Sequence, residues 1–252
     1  MSKQGVKVRN IVLGQGRPKI AVPITGKTKA AVLQQAEEIA NAKPDIVEWR
    51  IDFFEGITDK TAYIETAKAL RATLGDLALL TTFRTKGEGG ELLLSENDYF
   101  GICKTVISAQ QTDAIDVELY HDETQIKSIL QQAKVANVVV IMSNHDFNAT
   151  PAKAEIKTCL KKMIAYGADV AKMAVMPQNT ADVLELLAAT NEASSELTQP
   201  VITMSMGNIG KVSRISGEAF GSALTFATVG AASAPGQIPI QNLRQDLEDL
   251  KL

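Results

Sequence analysis

The chain is poor in the residues that build metal clusters and covalent frameworks. Its 252 residues hold two cysteines and two histidines. Cys103 and Cys159 lie in stretches of helical pattern and form no CxxC pair, which excludes a disulfide scaffold and a thiolate metal site and leaves them as reduced core thiols. No metal or organic cofactor is expected. An excess of one charge is missing too. With 26 Lys and Arg against 29 Asp and Glu, a formal net charge of −3 and no block of like charge, there is no electrostatic footprint for nucleic acid or an anionic membrane. No run approaches the ~18 consecutive apolar residues of a membrane helix, and the amino-terminal MSKQGVKVRN lacks the apolar segment of a secretory leader. A soluble, cytoplasmic protein acting on a small molecule is the expectation. No GxGxxG follows the first strand, which argues against a dinucleotide-binding sheet.

What is present is a rhythm. Eight short apolar runs, KIAVPI (19–24), DIVEWRID (45–52), LALLTTFR (77–84), DAIDVEL (113–119), NVVVIMSN (137–144), DVAKMAV (169–175), PVITMSM (200–206) and TFATVG (225–230), alternate with amphipathic segments of good helix formers. Thr150 before Pro151 suits a helix start, and Gly75 and Gly167 suit helix ends. Strands separated by a helix must run parallel, and eight such units close into a (β/α)8 TIM barrel, which commonly takes about 250 residues. The expectation is therefore an α/β chain with one barrel domain spanning residues 1–252. VKVRNIVLGQGRPK, which alternates and then turns at Gly14 to Pro18, reads as a small β-hairpin closing the barrel bottom.

Function is sought at the carboxyl ends of the strands. DIVEWRID carries Glu48, Arg50 and Asp52 at spacing two, hence on one face of an extended chain. These form either a structural ion cluster or a clamp for hydroxyl groups, Glu accepting and Arg donating. LALLTTFR ends in Arg84 and runs into TKGEGGE, a mobile or tightly turned loop carrying Glu88. Asp116 and Glu118 share a face of the next strand, and the sequence does not say which supports the site. NVVVIMSN delivers His145. In DVAKMAV an ammonium group sits mid-strand: Lys172 either pairs with Glu48 or Asp116 for structure, or faces a cavity with Arg50, Arg84 and His145, where burial and neighbouring cations favour a neutral, nucleophilic amine able to form a Schiff base. Met204 and Met206 lie at spacing two as core or as an apolar wall. The loops after strands seven and eight bring Arg214, suited to a planar carboxylate, with Ser233 and Gln237.

EWRIDFF (48–54), TFRTKGEGGE (82–91), SNHDF (143–147), AKMAV (171–175), MSMGNIGKVSRI (204–215) and ASAPGQI (232–238) stand in the order of the type I 3-dehydroquinate dehydratases, and almost the whole chain resembles that family. The resemblance implies a Schiff-base dehydration of 3-dehydroquinate to 3-dehydroshikimate in the shikimate pathway. It makes Lys172 the imine nucleophile, His145 the proton shuttle and Glu88 the glutamate beside it. It further implies Arg214 as carboxylate ligand, Glu48, Arg50 and Arg84 as ring-hydroxyl contacts, and Ser233 and Gln237 as lid residues. A homodimer is expected with it. The chain departs from the family in GEGGE and in Asn144, where an aromatic is frequent. Two rivals remain: a sugar-phosphate aldolase, which would share Lys172 but need a phosphate site in the last two loops, and a noncatalytic carboxylate-binding barrel.

Overall fold

The computed structural model describes residues 4–230 and 232–252. Met1–Lys3 of the stretch read for a leader, and Ala231 in the loop after the last barrel strand, lie outside them. A hairpin of β1 (Val6–Val8) and β2 (Ile11–Leu13) precedes β3 (Lys19–Ile24), α1 (Lys29–Ala42), β4 (Ile46–Arg50), α2 (Lys60–Leu74), β5 (Ala78–Thr82), α3 (Glu96–Ser108), β6 (Ala114–Glu118) and α4 (Glu123–Ala136). There follow β7 (Val139–Asp146), α5 (Lys153–Tyr166), β8 (Val170–Val175), α6 (Thr180–Glu196), β9 (Val201–Ser205), two single-turn helices α7 (Val212–Ile215) and α8 (Gly217–Phe220), β10 (Leu224–Thr228), β11 (Ile238–Pro239) and α9 (Ile240–Asp249).

From β3 to β9 each strand pairs in parallel with the next, and β10 returns to pair with β3. The seam between β9 and the approach to β10 is a single bridge, Val201 to Ser222. The short β11 lies outside β10. The eight-unit (β/α) barrel expected from the spacing is thus the observed architecture. Helix starts follow local chemistry: Thr28, Asp59, Ser95, Asp122 and Asn179 each accept a backbone N–H of the first turn. Gly75 and Gly167 stand just past the ends of α2 and α5, as expected.

Alternate residues of every strand point inward, and the interior splits into two ends. At the amino-terminal end Ala21, Ile46, Ala78, Ala114, Ile141, Val170, Ile202 and Leu224 form an apolar layer, which Val8 and Leu13 of the hairpin seal. The hairpin closes the bottom as expected, but its turn is at Arg9 and Asn10, with Arg9 at φ 53°, and not at Gly14 to Pro18; the latter stretch leads into β3. The opposite inner end carries the charged residues. Outward residues such as Trp49, stacked on Tyr63 of α2 with centroids 5.4 Å apart, fill the layer between sheet and helices.

Three local expectations are corrected. Asp52 does not continue β4: Ile51–Phe53 curls into a 3-10 turn closed by Phe54 N–H to the Ile51 carbonyl, and this brings the Asp52 carboxylate back onto Arg50. β7 runs to Asp146, because β8 is long enough to pair with Asn144, His145 and Asp146, so His145 is a strand residue. α5 begins at Lys153, two residues beyond Pro151. The Ala149 carbonyl is taken by Met176 N–H, and Asp146 holds Asn148 and Ala149 in its own turn, so Thr150 caps nothing.

Leu13, fully buried at the bottom and remote from the charged end, separates stability from function. Leu13→Ala is expected to lose about 2–5 kcal/mol of unfolding free energy in a urea titration, with ligand affinity at the other end unchanged.

Candidate active site

At the carboxyl end of the barrel a cavity of about 210 Å³ is lined by Glu48, Arg50, Arg84, Glu88, His145, Lys172, Met204, Met206, Arg214, Ser233 and Gln237. All eleven residues given a catalytic or substrate-contact role from the sequence therefore meet in one space, while Asp52, Asp116 and Glu118 are not among its lining. Thr82, Phe147 and Phe226 also line it. The strand-end pattern contains these as well, since Thr82 precedes Arg84 by two and Phe226 points inward from β10.

Lys172 is 3 % exposed. Its Nζ donates to Asp116 Oδ2 at 2.9 Å and lies 4.9 Å from the Phe226 ring centre. The supporting carboxylate left undecided by the sequence is thus Asp116. Glu48 instead accepts from the Thr82 hydroxyl at 2.8 Å. Asp116 also accepts from Arg84 Nη2 at 2.8 Å and from Ser143 Oγ. Burial disfavours the Asp116 charge, but Arg84 and Lys172 more than offset it and hold its pKa down at about 2.

Arg84 is the hub. Its Nη1 reaches Glu118 Oε1 at 2.8 Å, Ser143 Oγ at 3.1 Å and Glu88 Oε2 at 3.3 Å. Burial works against its charge, yet the surrounding carboxylates raise its proton affinity above that of free arginine. Glu88 accepts from Asn144 Nδ2 at 3.0 Å and faces His145 Nδ1 at 2.9 Å. The departure from the family at Asn144 therefore supplies a hydrogen bond to Glu88. Burial pushes the Glu88 carboxyl above its ordinary range, against the pull of Arg84. His145 is driven the other way: burial first, then the charges of Arg84, Lys172 and Arg50, hold its pKa well below that of free imidazole. The ring is neutral at physiological pH. With Nδ1 engaged by Glu88, the other nitrogen is the one left for a ligand.

The TKGEGGE loop is the tightly turned form. Lys86–Glu88 is a 3-10 turn, and a Cβ on Gly90 would stand 1.9 Å from the Arg84 carbonyl oxygen, so only glycine lets the chain fold back beside Arg84. Arg214, which also lines the cavity, is 2 % exposed and has no carboxylate partner among the described residues. Its Nη2 donates to the Pro235 carbonyl at 2.9 Å, while Nε and Nη1 find no hydrogen-bond partner. Burial lowers its pKa to about 10, which still leaves it charged. An unpaired buried guanidinium beside a cavity selects for an anion with two oxygens in a plane. Ser233 and Gln237 hold each other across the neighbouring loop, Ser233 N–H to Gln237 Oε1 at 3.0 Å and Gln237 Nε2 to Ser233 Oγ at 3.1 Å. Among the described residues no group of three or more His, Cys, Asp or Glu is arranged to hold a metal ion.

The family profile described as type I 3-dehydroquinase matches residues 20–251. The chain belongs to the type I 3-dehydroquinase family. A protein of Lactiplantibacillus plantarum named 3-dehydroquinate dehydratase is 62 % identical over 98 % of both chains. One from Listeria monocytogenes with the same name is 46 % identical over 96 % of both. A crystal structure of the type I enzyme from Clostridium difficile, with covalently modified comenic acid, has a TM-score of 0.96 at 46 % identity and 98 % coverage of each chain. As a type I 3-dehydroquinase the protein is an enzyme of the hydro-lyase class. No helix among its described residues is long and apolar enough to cross a membrane.

In this type I 3-dehydroquinase the buried pairing of Asp116 is a pH-dependent source of stability. Its folded pKa lies below the usual 3.8, so the contribution is complete above that value and is lost as pH falls through about 2. Asp116→Asn, which strands Lys172 and takes one of three carboxylates from Arg84, is expected to cost about 3–5 kcal/mol at pH 7 and to flatten the acid limb of stability against pH below 4; denaturant titrations at several pH values check both.

Proposed function

We propose that this chain dehydrates 3-dehydroquinate to 3-dehydroshikimate through a Schiff base on Lys172. The observation that carries the reading is that one cavity is lined both by a buried amine, Lys172, and by a buried arginine, Arg214, whose Nε and Nη1 have no hydrogen-bond partner among the described residues. A ring that carries a carboxylate and a ketone satisfies both. Arg214 takes the carboxylate through its fork. Lys172 Nζ attacks the ketone carbon, and loss of the carbonyl oxygen as water leaves a protonated iminium.

The iminium makes the adjacent C–H acidic and gives its electron pair somewhere to go. His145, neutral and with Nδ1–H on Glu88, takes that proton on Nε2, and the C–H pair moves toward the iminium nitrogen. The pair then returns to expel the β-hydroxyl, to which the imidazolium gives back its proton, so that water departs and the carbon–carbon double bond forms. Hydrolysis of the conjugated iminium releases the product and restores Lys172. Glu88 anchors the histidine in the tautomer whose Nε2 is a base. Glu48, Arg50 and Arg84 are read as the contacts of the ring hydroxyls. Asp52 keeps Arg50 in position by two hydrogen bonds of 2.8 Å. Met204, Met206 and Phe226 exclude water from the imine, with the Phe226 ring face toward its positive charge. Ser233 and Gln237 are read as the lid. The covalently modified ligand in the relative from Clostridium difficile supports covalent chemistry in a site of this kind.

The same reading takes residues 1–252 as one barrel domain, cytoplasmic and homodimeric. Sedimentation velocity is expected to give twice the chain mass, and a monomer at micromolar concentration would sink the dimer.

Borohydride added to the protein with 3-dehydroquinate is expected to leave one ligand adduct, on Lys172, by peptide mass mapping. Lys172→Ala should abolish the adduct. His145→Ala should slow turnover by about 10²- to 10⁴-fold while the adduct still forms. Absence of an adduct on wild-type Lys172 would remove the Schiff-base assignment.

A further inference from the structure

The second histidine lies outside the cavity and takes no part in the chemistry above. His121 follows β6, its ring stacked on Tyr99 of α3 (centroids 4.1 Å apart, planes 14° apart) and edge-on to Phe100. Both ring nitrogens face carboxylates: Nδ1 stands 2.9 Å from Glu96 Oε2, and Nε2 stands 3.3 Å from Glu118 Oε2. A carboxylate only accepts, and neutral imidazole carries one N–H. Only the imidazolium serves both partners; loss of its proton sets a lone pair against one of the two anions.

Glu96 is tied to the same segment, since its other oxygen accepts Asp122 N–H at 2.6 Å. Glu118 leads inward. Its Oε1 accepts from Arg84 Nη1 and, at 2.9 Å, from Thr85 N–H, while its Oε2 accepts the Thr85 hydroxyl at 2.7 Å. Thr85 opens the turn that carries Glu88. Arg84 Nη1 is shared between Glu118 and Glu88, so a Glu118 that loses His121 draws Arg84 toward itself and away from Glu88. A Glu88 released by Arg84 is no longer held against His145 Nδ1, so the ring hydrogen is free to move to Nε2, where no base remains.

We propose that His121 is a positioning residue of this active site: as an imidazolium bridging Glu96 and Glu118, it keeps Glu118 on Arg84 and Thr85 and thereby keeps Glu88 as acceptor for His145. The proposal rests on the assignment of His145 as proton carrier. The titratable groups around His121 are Glu118 from β6 and Glu96 and the Tyr99 phenol from α3, with Arg84, Asp116 and Glu88 behind Glu118. Burial disfavours its charge, but the two carboxylates raise its proton affinity above that of free imidazole, so the bridge is complete below pH 6.5 and is lost as pH rises through the higher folded value.

The test is the pH profile of kcat/KM, followed by enone absorbance, for wild type, His121→Gln and Glu96→Gln. Wild type is expected to fall by about 3- to 30-fold on the alkaline side and level off rather than vanish, as for a charge acting through neighbours. His121→Gln keeps a donor of similar reach without the charge and is expected to sit near the lower plateau at every pH. Glu96→Gln removes one carboxylate and is expected to move the alkaline step to lower pH. A His121→Gln profile that runs parallel to wild type, or coincides with it, overturns the proposal, and so does an unmoved step in Glu96→Gln. Borohydride trapping on the same proteins separates the two levels: an adduct on Lys172 in wild type and variants keeps the catalytic reading whatever the profiles do, and none in wild type overturns both.

Discussion

The upper half of this barrel depends on one buried guanidinium. Arg84 touches Asp116, Glu118 and Glu88, and each of these serves something else: Asp116 holds Lys172, Glu118 holds the Thr85 turn, Glu88 faces His145. Burying so many charges is tolerable only because each is paired and hydrogen-bonded within a rigid sheet. The arrangement is a poor source of net stability and a good source of fixed geometry. Groups locked in this way need no rearrangement to act on a bound molecule, which is what preorganised catalysis requires.

Stability comes from elsewhere. The apolar layer sealed by Val8 and Leu13, and the larger core between the sheet and its helices, hold the frame. The same inward-facing positions are apolar at the amino-terminal ends of the strands and charged at the carboxyl ends. The frame thus supports the site without sharing residues with it. Two close approaches complete the upper end: Gly90 against the Arg84 carbonyl, and Gly236, at φ +79°, where a Cβ would stand 2.3 Å from the Gly207 carbonyl oxygen. The second seats the Ser233 loop against the strand-end that leads to Arg214.

Electrostatics gives the cavity its direction. Burial first, and then the charges of Arg84, Lys172 and Arg50, depress the proton affinity of His145, while Arg214 has no carboxylate partner among the described residues. A ligand with its own negative group completes the charge balance that the protein leaves open. On the proposed reading, binding energy at Arg214 is what brings the ketone of the same ring within reach of Lys172.

How much of this was legible in the chain follows from the range of each interaction. Period-two patterning is local, so the eight strands, their polar ends and the inward lysine could be read directly, and six ordered motifs carried the family. Glu48, Arg50, His145, Lys172 and Met204 line the cavity because strand parity decides which side chains face inward, whereas Glu88, Arg214, Ser233 and Gln237 stand beyond the strands and were found through the ordered motifs. Partner choice is not local. Asp116 rather than Glu118 or Glu48 meets Lys172, although the pairing of β6, β7 and β8 aligns Lys172 with Ser143 and Glu118, whose carboxylate is taken up by Arg84 and Thr85; Asp52 curls out of its strand and bonds Arg50. The hairpin turn at Arg9, the start of α5 beyond Pro151 and the bridge through His121 likewise depend on segments far apart in sequence. The sequence by itself determined the strand rhythm, the chemical inventory and the end of the barrel at which it gathers. Only the tertiary structure decided which charge sits against which, since buried ion pairs are chosen by distances of a few ångströms that no spacing along the chain encodes.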